Sequence, residues 1–512
     1  MIPENFLWGA SESGFQFEMG DRLRRFIDPN SDWWCWVRDP KNISNKIVSG
    51  DLPEDGINYA ELYKNDHVIA KELGLISYRI GIEWSRIFPC STHHVEVDVE
   101  RDGLGLIKEV KINSEVLQRL DGLANKEAVS FYRELINDLR KKGLKVIVNL
   151  SHFTLPIWIH HPIMARDTNL EKGAKGFVDE NFVIEFTKYA AYIAWKLGDI
   201  VDMWSTFNEP LVPVELGYLM PFVGHPPGVH NPKGAKLALI NLVVAHARAF
   251  DAIKKWDRVR ADKESSSPSA IGVIHNIIPA YPLSEQDMEG AESYNYFHNT
   301  LILDSWTRGV FDLELDGKSA SRQAHLSNKI EWIGLNYYTR IVVKKSKPKY
   351  EELSAIKFEG VEGYGYACSP SGVSKDGRPC DESGWELYPE GLLRSLEIVK
   401  EYGLPIYITE NGAADIEDRY RPLYITSHIA SVEKALSEGI NVKGYFHWAL
   451  TDNYEWSEGF RMKFGLYEVD LITKARKPRK SAYIFKKIIA NKGLTEDLKE
   501  TYLTSYGLNK IL

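Results

Sequence analysis

Four cysteines in 512 residues are too few to build a disulfide framework. Cys35, Cys90, Cys368 and Cys380 form no C-x-x-C pair and have no histidine at finger spacing, which argues against zinc. Buried free thiols are the expected state. A Cys368–Cys380 bridge is the alternative if the source is a hyperthermophile, where intracellular disulfides are tolerated. No apolar run reaches the ~18 residues of a membrane span. No basic block occurs either, and 63 Lys and Arg against 71 Asp and Glu give a net charge of −8. Neither nucleic acid nor a membrane surface is therefore expected as a partner. The start, Met1 to Trp8, lacks the basic and apolar regions of a secretory signal, so a cytoplasmic protein is expected. No Gly-rich phosphate turn follows an early strand, which counts against a doubly wound dinucleotide-binding sheet. Low-complexity tracts are nearly absent. Ser265–Ser269 reads as a surface loop too short to separate domains.

What is present is a repeated order of element types. Helical segments ending in Gly precede short apolar strands again and again. Tyr59 to Leu73 ends at Gly74, before Ile76 to Trp84; Lys126 to Lys142 ends at Gly143, before Leu144 to Leu150. Phe182 to Leu197 ends at Gly198, before Ile200 to Phe207; Pro389 to Tyr402 ends at Gly403, before Leu404 to Ile408. Pro422 to Glu438 ends at Gly439, before Val442 to Trp448. Phe6 to Ala10, continuing to Gln16, with Ala270 to His275 and Glu331 to Tyr338 complete a set of eight strands. This alternation predicts parallel pairing, and eight such units predict one closed (β/α)₈ TIM barrel over residues 1–512. Insertions at about 89–125 and 340–384 follow the second and sixth strands, and both are expected to wall one face as a substrate funnel.

Barrel enzymes place their chemistry at the carboxyl ends of the strands. Those ends carry Gln16, Arg79 with Glu83 and Trp84, His152, Asn208 and Glu209, His275 and Asn276, Asn336 and Tyr338, Glu410, and Trp448. Glu410 is expected just past a strand that stops at Thr409, and Pro210 is expected to hold Glu209 extended. Two opposed carboxylates without a third acidic ligand suit glycosidic bond cleavage better than metal binding. Arg79 is placed to keep Glu410 charged as nucleophile, with Tyr338 orienting it, and Glu209 facing that charge would stay protonated as general acid. Gln16, His152, Asn208, Glu455, Trp448 and Trp456 offer hydroxyl partners and aromatic faces for a sugar.

The segments Phe6–Gln16, Tyr78–Pro89, Thr206–Pro210, Gly334–Tyr338, Ile408–Gly412 and His447–Trp456 resemble glycoside hydrolase family 1, in order, from about residue 3 to about residue 490. The similarity is to its archaeal β-glycosidases, which share the long segment after the second strand. The resemblance implies a cofactor-free retaining exo-β-glycosidase with Glu209 as acid/base and Glu410 as nucleophile. It places Gln16, His152, Asn208, Glu455 and Trp456 on the non-reducing sugar, Trp448 beneath it and Trp385 on the aglycone side. It also implies a cis peptide at Trp448–Ala449 and a homotetramer. Plant thioglucosidases of the family carry Gln where this chain has Glu209. The 6-phospho enzymes carry Ser, Lys and Tyr where this chain has Glu455, Met462 and Phe464, so an unphosphorylated sugar is expected. The alternatives are a carbohydrate-binding barrel without turnover and a metal-dependent barrel hydrolase.

Overall fold

The computed structural model describes residues 2–261 and 269–507. Eight parallel strands close into a barrel: β1 (Leu7–Ser11), β2 (Ser77–Gly81), β3 (Lys145–Ser151), β4 (Met203–Asn208), β5 (Ala270–Asn276), β6 (Trp332–Asn336), β7 (Ile406–Asn411) and β8 (Val442–His447). They neighbour one another in chain order, and β1 bonds to both β2 and β8. The outer ring consists of α1 (Tyr59–Glu72), α2 (Lys126–Lys141), α3 (Asn181–Leu197), α4 (Pro232–Trp256), α5 (Leu301–Arg308), α6 (Pro389–Lys400), α7 (Arg421–Ser437) and α8 (Lys480–Asn491). This is the expected (β/α)₈ barrel.

Local chemistry accounts for the elements. In α2 the buried Tyr132, Leu135, Ile136 and Leu139 recur at helical spacing, and the Asn125 side chain caps the start by accepting from the amides of Glu127 and Ala128. The floor of the barrel is filled by Leu7, Ile147, Ile274, Trp332 and Phe446. Gly9 is required there by space, since a Cβ would sit 2.3 Å from the Phe446 ring. Above this apolar floor the interior turns polar, and the carboxyl ends of the strands open into the mouth.

Several expectations change. β7 does not stop at Thr409: it runs through Glu410 to Asn411, because its backbone stays paired on both sides (Tyr337 N to Glu410 O, 3.0 Å; Trp448 N to Asn411 O, 3.1 Å). β1 does not continue to Gln16; the chain turns into one helical turn, Gly14–Phe17, that carries it. Glu209 is not extended but left-handed, at φ 46°. Its amide still bonds to Ile274 O (2.8 Å) at the end of β4 while a helix begins at Leu211, so one residue must make the whole turn.

The 89–125 insertion does not wall the mouth. Its hairpin (Asp98–Arg101 with Ile107–Lys111) and helix (Ser114–Leu123) lie along the outside of α3 and α4. Arg101 pairs with Glu180 at the head of α3, Asp121 with Lys196 at its foot, and Lys255 of α4 donates to Ile112 O. α3 is buried nearly all round, so it needs an outer cover as well as the barrel beneath it. The 340–384 insertion does reach the mouth. Cys368 and Cys380 are bridged within it, whereas Cys35 is half-buried and Cys90 exposed, so buried free thiols are not the state of any of the four. Of the predicted 265–269 loop, Ser265–Pro268 lie outside the described residues; Ser269 is buried and donates to Val201 O. Among the described residues no helix is long and apolar enough to cross a membrane.

Candidate active site

The end of β7 delivers Glu410 to the centre of the mouth, nearly buried, with a donor on each oxygen. Arg79 of β2 donates from Nη1 to Oε1 (2.5 Å), and the Tyr338 hydroxyl donates to Oε2 (2.7 Å). Arg79 is fully buried at the strand's pleat, which leaves its guanidinium no water to turn to. Its Nη2 donates to Asn208 Oδ1 (2.8 Å) and lies 3.2 Å from His152 Nδ1. Burial, with the adjacent guanidinium adding to it, pushes His152 well below the usual histidine range, so the ring is neutral.

Glu209 follows β4. Its Oε1 accepts from Asn336 Nδ2 (2.7 Å), an amide oriented by Thr409 Oγ1 donating to its Oδ1 (2.8 Å) and by a second bond to Asn208 Oδ1 (3.0 Å). Burial pushes the Glu209 carboxyl up to about 8, and the charge of Glu410 adds to the shift, while Asn336 and Arg79 oppose it. The two carboxyl groups thus sit in one field with different partners. Glu410 holds a cation and a phenol, and Glu209 holds only a neutral amide.

A second group lines one side. Glu455 accepts from Trp448 Nε1 (3.1 Å) and from Gln16 Nε2 (3.3 Å), and Gln16 also donates to Asn453 Oδ1 (3.1 Å). Burial pushes Glu455 up to about 7. The His152 ring stacks against both Trp448 and Trp456, at 5.7 Å in each case. Trp456 is backed by Phe15 (5.9 Å, parallel) and Trp33 (4.6 Å). The Trp448–Ala449 peptide is cis, as the resemblance implied. On the other side Trp385 meets the Tyr338 ring (5.1 Å) and Phe464 (5.9 Å).

All thirteen predicted site residues therefore come together: Arg79, Glu209, Tyr338 and Glu410 at the centre, the sugar-facing set on one flank, Trp385 and Phe464 on the other. Among the other residues read at the strand ends, Glu83, Trp84 and His275 do not. Glu83 is turned under the mouth, accepting from Phe15 N (2.9 Å) and Thr154 Oγ1 (2.6 Å). Trp84 stacks outward on Tyr189 of α3, and His275 bonds to His298 O. Sequence reasoning missed Asn453, which was in view within the His447–Trp456 segment, and Tyr366, which stands in the irregular 340–384 insertion with no periodicity to mark it. Its ring meets Trp385 edge-on (5.2 Å), and burial with the charges of Glu209 and Glu410 pushes the Tyr366 phenol well above its usual range. Among the described residues no cluster of three or more His, Cys, Asp or Glu could hold a metal ion.

Known proteins share this arrangement of fold. The model of "Glycosyl hydrolase family 1" matches residues 1–107 and 118–494. A β-galactosidase of Pyrococcus woesei is 55% identical over 509 residues, covering 98% of this chain and 100% of that one. The crystal structure of the β-glycosidase from the hyperthermophile Thermosphaera aggregans aligns with a TM-score of 0.89 at 42% identity, over 98% of this chain and all of the other (100%). The hyperthermophilic β-glucosidase of Pyrococcus furiosus aligns with a TM-score of 0.88 at 41% identity, over 98% and 99%. A closed eight-strand barrel with two unequal carboxyl groups at its mouth, matched by this family's model along nearly its whole length, belongs to glycosyl hydrolase family 1.

Proposed function

We propose that the protein is a retaining exo-β-glycosidase that releases terminal β-D-glucosyl and β-D-galactosyl residues without a cofactor, its residues 1–512 forming one catalytic unit. One observation carries this reading: both Glu410 oxygens are held by hydrogen-bond donors, while Glu209 beside it is pushed up to about 8 and keeps its proton at neutral pH. Glu410 attacks the anomeric carbon as the glycosidic C–O bond breaks, and Glu209 gives its proton to the leaving oxygen. In the resulting ester Glu410 has no charge. The Glu209 pKa then falls, so that Glu209 takes a proton from the water that attacks the same carbon and frees Glu410. An alcohol in place of water gives transglycosylation.

Gln16, His152, Asn208 and Glu455 meet the sugar hydroxyls, Trp448 lies under the ring, and Trp456 backed by Phe15 and Trp33 closes the end, which supports exo action. Asn336 orients Glu209, and Trp385 with Phe464 faces the aglycone. The names of the relatives, β-galactosidase and β-glucosidase, support the sugar class. We further propose a cytoplasmic location and a homotetramer, the latter supported by a similar solved structure, of a β-glucosidase mutant derived from a tetramer.

The test is the anomer first released from an aryl β-glucoside, followed by proton NMR. Initial β-glucose supports double displacement; initial α-glucose overturns it.

A further inference from the structure

The 340–384 insertion brings a further aromatic ring to the aglycone flank, beside Trp385 and Phe464, and covalently braces it. Tyr366 stands edge-on to Trp385, with ring centroids 5.2 Å apart at 74°. Their backbones are laced together. Gly365 N donates to Glu386 Oε2 (2.8 Å), and Glu386 N donates to Gly365 O (3.1 Å). Glu386 is itself fully buried and also accepts from Arg340 and Ser374. Gly365 has φ +52°, and a Cβ there would lie 1.9 Å from Arg340 O, so the packing of this segment against the start of the insertion depends on its lacking a side chain.

The disulfide closes this lacing at both ends. Cys368 follows Tyr366 by two residues, and its carbonyl packs where a Cβ on Gly384, next to Trp385, would meet it at 2.7 Å. Cys380 immediately precedes Asp381, whose Oδ1 accepts from the amide of Trp385 (2.9 Å) and whose Oδ2 accepts from Ala414 N (3.0 Å), past the end of β7. Bridging Cys368 to Cys380 therefore ties the Tyr366 segment to the Trp385 segment and both to the strand that bears Glu410.

We propose that Tyr366 is a further wall of the aglycone site, that the Cys368–Cys380 bridge fixes its spacing from Trp385, and that this loop selects aromatic aglycones. The inference rests on the glycosidase reading above. An aromatic leaving group lies in the corner formed by the two contacting rings and makes contacts that a small leaving group cannot make.

The experiment compares kcat/KM for p-nitrophenyl β-glucoside with that for β-glucosyl fluoride, whose leaving group is a single atom. The ratio of the two is expected to fall about tenfold in Tyr366→Ala. It is expected to fall several-fold in the dithiothreitol-reduced enzyme and in the Cys368→Ser/Cys380→Ser double variant, and to recover when the reduced enzyme is reoxidised. Thiol titration of the denatured, unreduced protein should find the two free cysteines, Cys35 and Cys90; four free thiols overturn the bracing. A ratio that stays within about twofold in Tyr366→Ala overturns the wall, and one that stays so after reduction overturns the role of the bridge. A wild-type enzyme that turns over neither substrate overturns the glycosidase reading and this inference with it.

Discussion

Replacing Glu209 by Gln, and titrating the wild-type enzyme in parallel, tests the assignment of the acid. An ordinary glutamic acid at its usual 4.5 is only about 0.3% protonated at pH 7. At about 8, where burial and the Glu410 charge put Glu209, about nine-tenths of it carries the proton, roughly a 300-fold gain in acid form. For an alkyl β-glucoside, whose alkoxide leaves only with a proton, kcat/KM should be level from about pH 6 to 7.5. Above about pH 8 it should fall tenfold per unit, because raising the pH through the folded-state pKa removes the proton. For 2,4-dinitrophenyl β-glucoside, whose phenolate needs no proton, that alkaline limb should be absent. Glu209→Gln should lower kcat/KM for the alkyl glucoside by about 10²–10⁴-fold and for the dinitrophenyl substrate by far less. An alkyl-glucoside profile that stays level to pH 9.5, or equal losses for both substrates, would refute the assignment.

Two further outcomes follow from particular contacts. Tyr338→Phe removes one hydrogen bond to a charged oxygen of Glu410 while keeping the ring packed on Trp385. A loss of about 1.5–3 kcal/mol is expected, seen as a roughly tenfold to hundredfold fall in kcat/KM for an aryl glucoside; a change within twofold would contradict it. Lys188→Met should act on stability alone. Buried Lys188 pairs with Glu185 (2.6 Å) and donates to the carbonyls of Thr92 (2.9 Å) and Val95 (3.1 Å), pinning the 89–125 insertion to α3. Leaving Glu185 unpaired should cost about 3–5 kcal/mol in chemical denaturation while kcat stays level, and an unchanged unfolding midpoint would show the pair to be dispensable.

The barrel was legible because glycine punctuates it. Gly143 and Gly403, at φ +78° and +67°, end their helices in a conformation other residues resist, and an apolar strand follows each. The carboxyl ends were less legible. Thr409-Glu410-Asn411 looks like a turn, yet hydrogen bonds from β6 and β8 keep it in the sheet, and tertiary pairing of that kind leaves no local mark. Pro210 excluded a right-handed helix at Glu209 but could not choose between an extended and a left-handed backbone; the abutting strand and helix made that choice. The length of the 89–125 insertion was visible, but its destination depended on the outer face of α3 needing cover. Cys368 and Cys380 are 12 residues apart, a spacing silent about whether their backbones meet. The central residues were legible for a plainer reason: strand ends of a parallel barrel converge, so side chains far apart in sequence, such as Arg79 and Glu410, must meet there.

The central claim is that burial, with the charge of Glu410 adding to it, holds the proton on Glu209. It is tested by following the ¹³C resonance of the labelled Glu209 carboxyl, identified by its absence in Glu209→Gln, while titrating both the free enzyme and the enzyme trapped on a 2-deoxy-2-fluoroglucosyl ester. Titration near 8 in the free enzyme, moving to lower pH once Glu410 is esterified, is the predicted result. The same midpoint in both states would contradict the account.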